Sequence, residues 1–162
     1  MILILLLWLS FGSIPLPPQP PIEGQIDRIV VDKSARLMVL YQKGRPVAVW
    51  PVALGFAPEG SKEREGDGKT PEGRFRIDRR NPGSAFHLSL GIDYPRPEDR
   101  AAAQAAGVSP GGDIFFHGQP NAMPPGFMLP GDWTAGCIAL TNDRIETLWR
   151  VTPIGTTVEI RP

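Results

Sequence analysis

The sequence predicts a mostly β domain, a small sandwich or barrel that carries two short helices. Three observations predict it. Glycine (18) and proline (19) together make up over a fifth of the 162 residues, which favours short strands joined by many turns. Short runs rich in β-branched and aromatic residues recur between those turns. The helical segments are also too few to cross over between strands, as a βαβ fold requires.

The elements follow in order. Met1 to Phe11, MILILLLWLSF, is nearly all apolar but shorter than the ~20 residues that span a bilayer as a helix. Residues 1–13 are therefore expected to be a signal peptide or a short membrane anchor, giving export or weak peripheral membrane association. Residues 14–24 include IPLPPQPP, a stiff proline-rich linker, and the folded domain is expected over 25–162. Ile26–Val31 and Leu37–Tyr41 read as strands around a turn at Asp32-Lys33-Ser34-Ala35. Lys43-Gly44-Arg45 turns into a third strand over Pro46–Leu54. Ala57–Lys69 is charged, glycine-rich and without apolar period, hence a loop. Thr70-Pro71-Glu72-Gly73 is a turn before a strand at Arg74–Asp78.

Phe86–Leu90, FHLSL, alternates, which puts Phe86, Leu88 and Leu90 on one strand face and His87 and Ser89 on the other. Pro97-Glu98-Asp99 opens a helix that Gly107 stops. Asp113–Phe116 is a short strand running into His117-Gly118, and Gly136–Leu140 is another. Thr141 or Asn142 can cap a helix over Asp143–Val151, Pro153 ends it, and Thr156–Ile160 is the last strand. No internal repeat is present.

Bulk properties narrow the function. The length suits one domain with a real core. Lys plus Arg (17) equals Asp plus Glu (17), with no basic stripe, which argues against a nucleic-acid partner. The single cysteine, Cys137, excludes an internal disulfide and Cys-rich zinc frameworks. The two histidines, His87 and His117, form no close ligand pair, so neither a metal nor a cofactor is implied.

A lone cysteine is either a small buried apolar residue or a nucleophile with a histidine near it in space. His117 ends a strand, and Cys137 lies twenty positions later behind Asp132-Trp133-Thr134-Ala135-Gly136. A histidine beside a thiol assists its ionisation and later protonates a leaving amine. Glycine at 136 lets the backbone approach a substrate carbonyl, where the N–H groups of Gly136 and Cys137 can meet a developing oxyanion.

His-Gly, a loop, then T-A-G-C-I-A-L-T-N, together with Thr70-Pro71-x-Gly73 and Phe75 two residues on, resembles the L,D-transpeptidase (YkuD) family over roughly Gln25 to Arg161. The resemblance implies that family's fold and an acyl transfer on peptidoglycan stem peptides in the cell envelope. It places Cys137 as nucleophile, His117 as general base and acid, and the carbonyl of Gly118 as the group that holds the imidazole. Thr134 takes the family's Ser/Thr position and Gly136 its glycine before the cysteine. Two positions depart from the pattern. Ala135 stands where histidine is common, and Ala139 where Arg or Asn is common, which leaves substrate carboxylate recognition without the family's cation. The DWTxGCIAxTN form is similar to a branch that cuts the link between peptidoglycan and an attached lipoprotein, so hydrolysis is an alternative to transfer. A non-catalytic peptidoglycan-binding module is an alternative of another class. The expected protein is a monomer.

Further candidates for substrate contact are Trp133, which either walls the cleft or packs in the core, and His87, which is either a surface residue or a second proton-transfer group. Arg96, with Arg79 and Arg80, is a candidate for a stem-peptide carboxylate, since a guanidinium suits bidentate contact. The segment Pro120–Gly131 is expected to rim the site.

Overall fold

A computed structural model describes residues 20–162 of the chain. The signal or anchor expected at 1–13, and the linker up to residue 19, lie outside the described residues. Among those described, no helix is long and apolar enough to cross a membrane. Ile22 is already buried and its carbonyl accepts from Arg150 Nη1, so the chain joins the core three residues before Gln25.

Eight strands form one curled sheet in the order β3-β2-β1-β8-β4-β5-β6-β7. β1 (Arg28–Asp32), β2 (Leu37–Gln42) and β3 (Arg45–Pro51) make the antiparallel meander the sequence predicts. β8 (Thr157–Arg161) runs parallel to β1 and antiparallel to β4 (Gly73–Asn81), bringing the last strand to the middle of the sheet. Alternating side chains of these strands, among them Ile29, Val31, Met38, Leu40, Phe75, Val158 and Ile160, are buried in the main apolar core. β5 (Ser89–Ile92) then pairs with β4 and with β6 (Phe115–His117), and β6 pairs in parallel with the two-residue β7 (Ile138–Ala139).

The helices are α1 (Pro97–Ala105) and α2 (Asn142–Val151). Asp99 Oδ2 accepts from the Arg96 N–H at 2.9 Å, which starts α1, and Gly107 at φ +69° follows its end. α2 buries Ile145, Leu148 and Val151 from one face. Thr141 is its N-cap but makes no side-chain cap bond, and its hydroxyl is buried without a partner among the described residues.

Two strand expectations need correction. The Phe86–Leu90 alternation is not a strand: β5 begins only at Ser89, which is buried and bonded to Ser84, while His87 has φ +70° and Leu88 is half-buried. A residue in the left-handed region breaks the period-2 geometry on which alternation rests. β4 runs three residues beyond Asp78, with a register shift between Ile77 and Arg79 that marks a bulge.

Candidate active site

The edge of the sheet at β6 and β7 gathers the chemistry. Two rows of cross-strand neighbours cross it. One contains Asn81, Ser89, His117 and Ala139; the other contains Arg79, Gly91 and Phe115. Carried one step back from the Phe116–Ile138 pair, the register sets Cys137 beside Phe115. His117 and Cys137 thus lie in adjacent rows on one face, as diagonal neighbours.

His117 is buried, with 3% of its surface exposed. Its Nδ1 meets the Gly118 carbonyl at 2.7 Å. A carbonyl only accepts, so the proton of the neutral ring sits on Nδ1 and the Nε2 lone pair is free. The ring is boxed by Phe86 (centroids 4.5 Å apart) and Trp133 (5.6 Å), which fixes its plane. The Trp133 indole N–H is itself buried without a partner among the described residues. Burial pushes the imidazole pKa below the ordinary 6.5, and the Gly118 carbonyl offsets part of that shift. Gly118 has little alternative: a Cβ there would sit 2.5 Å from Asn142 Oδ1.

Cys137 is half-buried and lines a pocket of about 160 Å³ with Lys62, Glu65, Gly66, Gly111, Gly112, Asp113, Ile114 and Ala135. Its Sγ accepts from the Phe115 N–H at 3.4 Å and donates to the Asp113 carbonyl at 3.3 Å. Burial raises the thiol pKa above its ordinary 9.0; the Phe115 N–H opposes this, the Asp113 carboxylate adds to it, and the Lys62 and Arg79 cations oppose it. Both shifts favour the uncharged forms, thiol and imidazole.

The turn that presents the thiol is built from its own sequence. The Thr134 hydroxyl donates to the Cys137 carbonyl at 2.7 Å and accepts from the Gly136 N–H at 3.1 Å. Gly136 has φ +140°, and a Cβ there would lie 2.7 Å from the Lys69 carbonyl, so only glycine fits. Asp132 fastens the approach to this turn. Its Oδ1 takes the Leu54 N–H and its Oδ2 pairs with Arg36 at 3.0 Å.

The expected site residues therefore separate. His117, Gly118, Gly136, Cys137 and Trp133 come together. Thr134 is buried and its hydroxyl is bonded within the turn that presents the thiol, to the Cys137 carbonyl and the Gly136 N–H. The Gly136 N–H is taken by Thr134, whereas the Cys137 N–H donates to no described residue. His87 turns to Glu146 on α2 at 2.7 Å and takes no part in the cluster. Arg96 holds Asp99 through Nε and Nη2 and stacks on Phe75, and Arg80 is bound to the carbonyls of Trp149 and Thr152. Both are spent on the fold. The rim over the thiol comes from 62–66 and 111–113; residues 128–131 of the expected rim instead line a separate pocket of about 350 Å³ with Gln119 and Ala139.

Sequence reasoning missed Asp113, Phe115 and Lys62. Asp113 is a non-glycine residue at φ +54°, a conformation that turns its carbonyl to the thiol and that no pattern in the sequence announces. Lys62 is buried and neutralised by Asp67 at 3.0 Å. Burial pushes the Asp67 carboxyl up, but the N–H groups of Glu63 and Arg64 and the Lys62 ammonium outweigh it and hold the pKa at about 2. Among the described residues, no cluster of three or more His, Cys, Asp or Glu side chains is placed to hold a metal.

The chain belongs to the L,D-transpeptidase catalytic-domain (YkuD) family, whose model matches residues 26–160. It is 30% identical over 94 residues to YafK of Escherichia coli strain K12, a protein whose L,D-transpeptidase assignment is itself provisional; the match covers 56% of this chain and 31% of YafK. The structure resembles that of Pgp2 from Campylobacter jejuni, described as a helical cell shape determining protein, with a TM-score of 0.65, 27% identity, and coverage of 86% of this chain and 48% of Pgp2. It shares its fold with an L,D-transpeptidase of Xylanimonas cellulosilytica at a TM-score of 0.53 and 17% identity, covering 90% of this chain and 65% of that one. This chain thus spans about a third of the curated relative and about half of the Campylobacter protein.

Proposed function

We propose that the protein is a cysteine acyltransferase that acts on peptidoglycan stem peptides in the cell envelope, with Cys137 as nucleophile and His117 as base. The observation that carries this reading is the His117 ring. Its Nδ1 is tied to the Gly118 carbonyl, its plane is boxed by Phe86 and Trp133, and its free Nε2 belongs to the strand beside the thiol. Membership of the family, and the likeness to a cell-shape protein, support a role at the cell wall.

With both groups favoured in their uncharged forms, attack and proton transfer are coupled. Sγ forms a bond to the carbonyl carbon of an L-to-D peptide bond while its proton passes to His117 Nε2. The oxyanion takes the Cys137 N–H, the donor left free in the nucleophile turn. The imidazolium then gives its proton to the departing amine as the C–N bond breaks, leaving a thioester. An acceptor amine attacks that thioester, loses its proton to His117, and releases the thiol. If water is the acceptor, the same intermediate gives hydrolysis. The pocket beside Cys137 admits the donor, and Lys62 also borders a larger groove of about 780 Å³ against α1 that suits an extended peptide.

The test is to incubate the protein with disaccharide-tetrapeptide and with lipoprotein-linked muropeptide, beside Cys137→Ala, and to follow products by mass spectrometry. Cross-linked dimers or exchanged terminal residues establish the transferase. Release by water without cross-links moves the reading to hydrolysis. Binding to sacculi with no product from either substrate replaces it with a binding module.

A further inference from the structure

Arg36, Arg79 and Arg96 can each be asked what their side-on edge, Nε with Nη2, is doing. Arg36 turns that edge to Asp132 at 3.2 and 3.0 Å, and Arg96 turns it to Asp99 at 2.8 and 3.0 Å. Arg79 differs. Its Nη1 is committed to the Asp78 carboxylate and the Ile92 carbonyl, but its Nε–Nη2 edge has only a 3.4 Å contact to Asp113 Oδ1, a carboxylate 90% exposed and readily exchanged for another.

The surroundings of Arg79 are built to send it toward the thiol. The bulge in β4 falls between Ile77 and Arg79, and a bulge re-aims the side chain that follows it. Arg79 then crosses β5 at Gly91, where a Cβ would lie 2.6 Å from its Cγ and 2.8 Å from its Nε and Cζ. It ends with its guanidinium 4.5 Å from the centroid of the Phe115 ring. Phe115 is the residue whose N–H meets Cys137 Sγ, and Asp113, the loose partner of Arg79, is the residue whose carbonyl takes the S–H. One cross-strand row therefore carries a fixed, half-exposed cation to the edge of the nucleophile pocket. Arg79 reaches that pocket through Asp113, which lines it; the cation that lines the pocket itself, Lys62, is buried against Asp67 and already paired. Ala139 supplies none.

We propose that Arg79 is the carboxylate anchor for the acyl-donor peptide, binding a free carboxylate of the substrate through its open edge in place of Asp113 and so selecting which peptides present their carbonyl to Cys137. The proposal rests on the reading of Cys137 as the nucleophile.

Its test measures binding separately from turnover. A stem tetrapeptide with free carboxylates and the same peptide with every carboxylate amidated are titrated into Cys137→Ala, with and without Arg79→Gln, by calorimetry. The acid is expected to bind roughly ten- to a hundredfold more tightly than the amide, the range for hydrogen bonds to a charged group. That preference is expected to fall to near unity in Arg79→Gln. Should Arg79→Gln fail to fold by circular dichroism, Arg79→Lys decides, because it keeps the charge but loses the two-point edge: a reduced preference supports the proposal, and the full preference overturns it. Equal binding of acid and amide with Arg79 intact, or no binding of either, also overturns it. Turnover by the native protein reports on Cys137 independently. Turnover without acid preference sinks the anchor alone; acid preference without turnover sinks the acyl-transfer reading alone.

Discussion

The two ends of the sheet are held together differently. On the side of β1 and β2, as far as β8 in mid-sheet, strands of five or six residues pair in continuous registers and bury Ile29, Val31, Met38, Leu40, Val158 and Ile160. At the β6 and β7 end, strands of three and two residues are fastened by side chains bonded to backbone: Thr134 to Cys137 and Gly136, Gln119 to Leu140, and Asn142 to the Gln119 N–H. The non-glycine residues His87 and Asp113, and Gly136, which only glycine fits, also lie on this side, all at positive φ. Apolar burial is non-directional and tolerates small shifts, whereas these bonds specify individual atoms. The first end supplies stability; the second fixes where a thiol, an imidazole and a free N–H stand.

Exchanging one residue at each end sharpens that division most. Cys137→Ala removes a half-buried thiol with only two weak contacts, so thermal unfolding should barely move while turnover falls by about 10⁴-fold or more, the scale seen when a nucleophile is removed. Leu40→Ala should do the reverse. It opens a cavity under a fully buried side chain and costs about 2–5 kcal/mol in denaturant unfolding, with kcat/KM of the surviving folded protein nearly unchanged. If Leu40→Ala changed the chemistry as much as the stability, the two ends would not be separable.

Thr134→Val tests whether polar bonds do at the site what apolar burial does elsewhere. The swap keeps the shape but leaves the Gly136 N–H and the Cys137 carbonyl unpaired in a buried turn. Each orphaned group costs about 1–3 kcal/mol. Turnover should fall further than the stability loss alone accounts for, because the thiol loses its fixed position, and Thr134→Ser should restore most of it. Equal activity in Thr134→Val and the native protein would mean that the turn is positioned by something else.

The same contrast governs what was legible in the sequence. The meander and β8 could be read because period-2 burial is a local pattern, and α2 because its apolar face repeats at helical spacing. Cys137, His117 and Gly136 stand out as candidates because few residue types carry such chemistry and their order resembles a family's. Residues 86–88 alternate as a strand would but form none, because a left-handed His87 overrides the alternation and nothing in FHLSL signals that turn. The three arginines could not be ranked, because what separates Arg79 from Arg80 and Arg96 is a bulge, a glycine in the neighbouring strand, and which edge is already filled.

The smallest and most specific effects lie in pH. Burial lowers the His117 pKa, so the neutral ring persists below 6.5, and if His117 is the base the acid limb of kcat/KM should have its midpoint under that value. Below 6.5 the unfolded chain binds a proton that folded His117 refuses, so this residue also makes stability fall as pH drops, and His117→Gln should flatten that part of the profile. The thiol is displaced in the opposite direction: its pKa is raised, so alkylation of Cys137 by iodoacetamide should climb with pH to a midpoint above 9.0. An imidazole midpoint below 6.5 together with a thiol midpoint above 9.0 means that both groups rest uncharged near neutrality and exchange a proton during attack, whereas an ion pair reverses that order. A preformed thiolate–imidazolium pair would alkylate rapidly already near pH 6. Rapid alkylation there would show that the ordered end of the sheet stores charge separation in advance rather than creating it when substrate arrives.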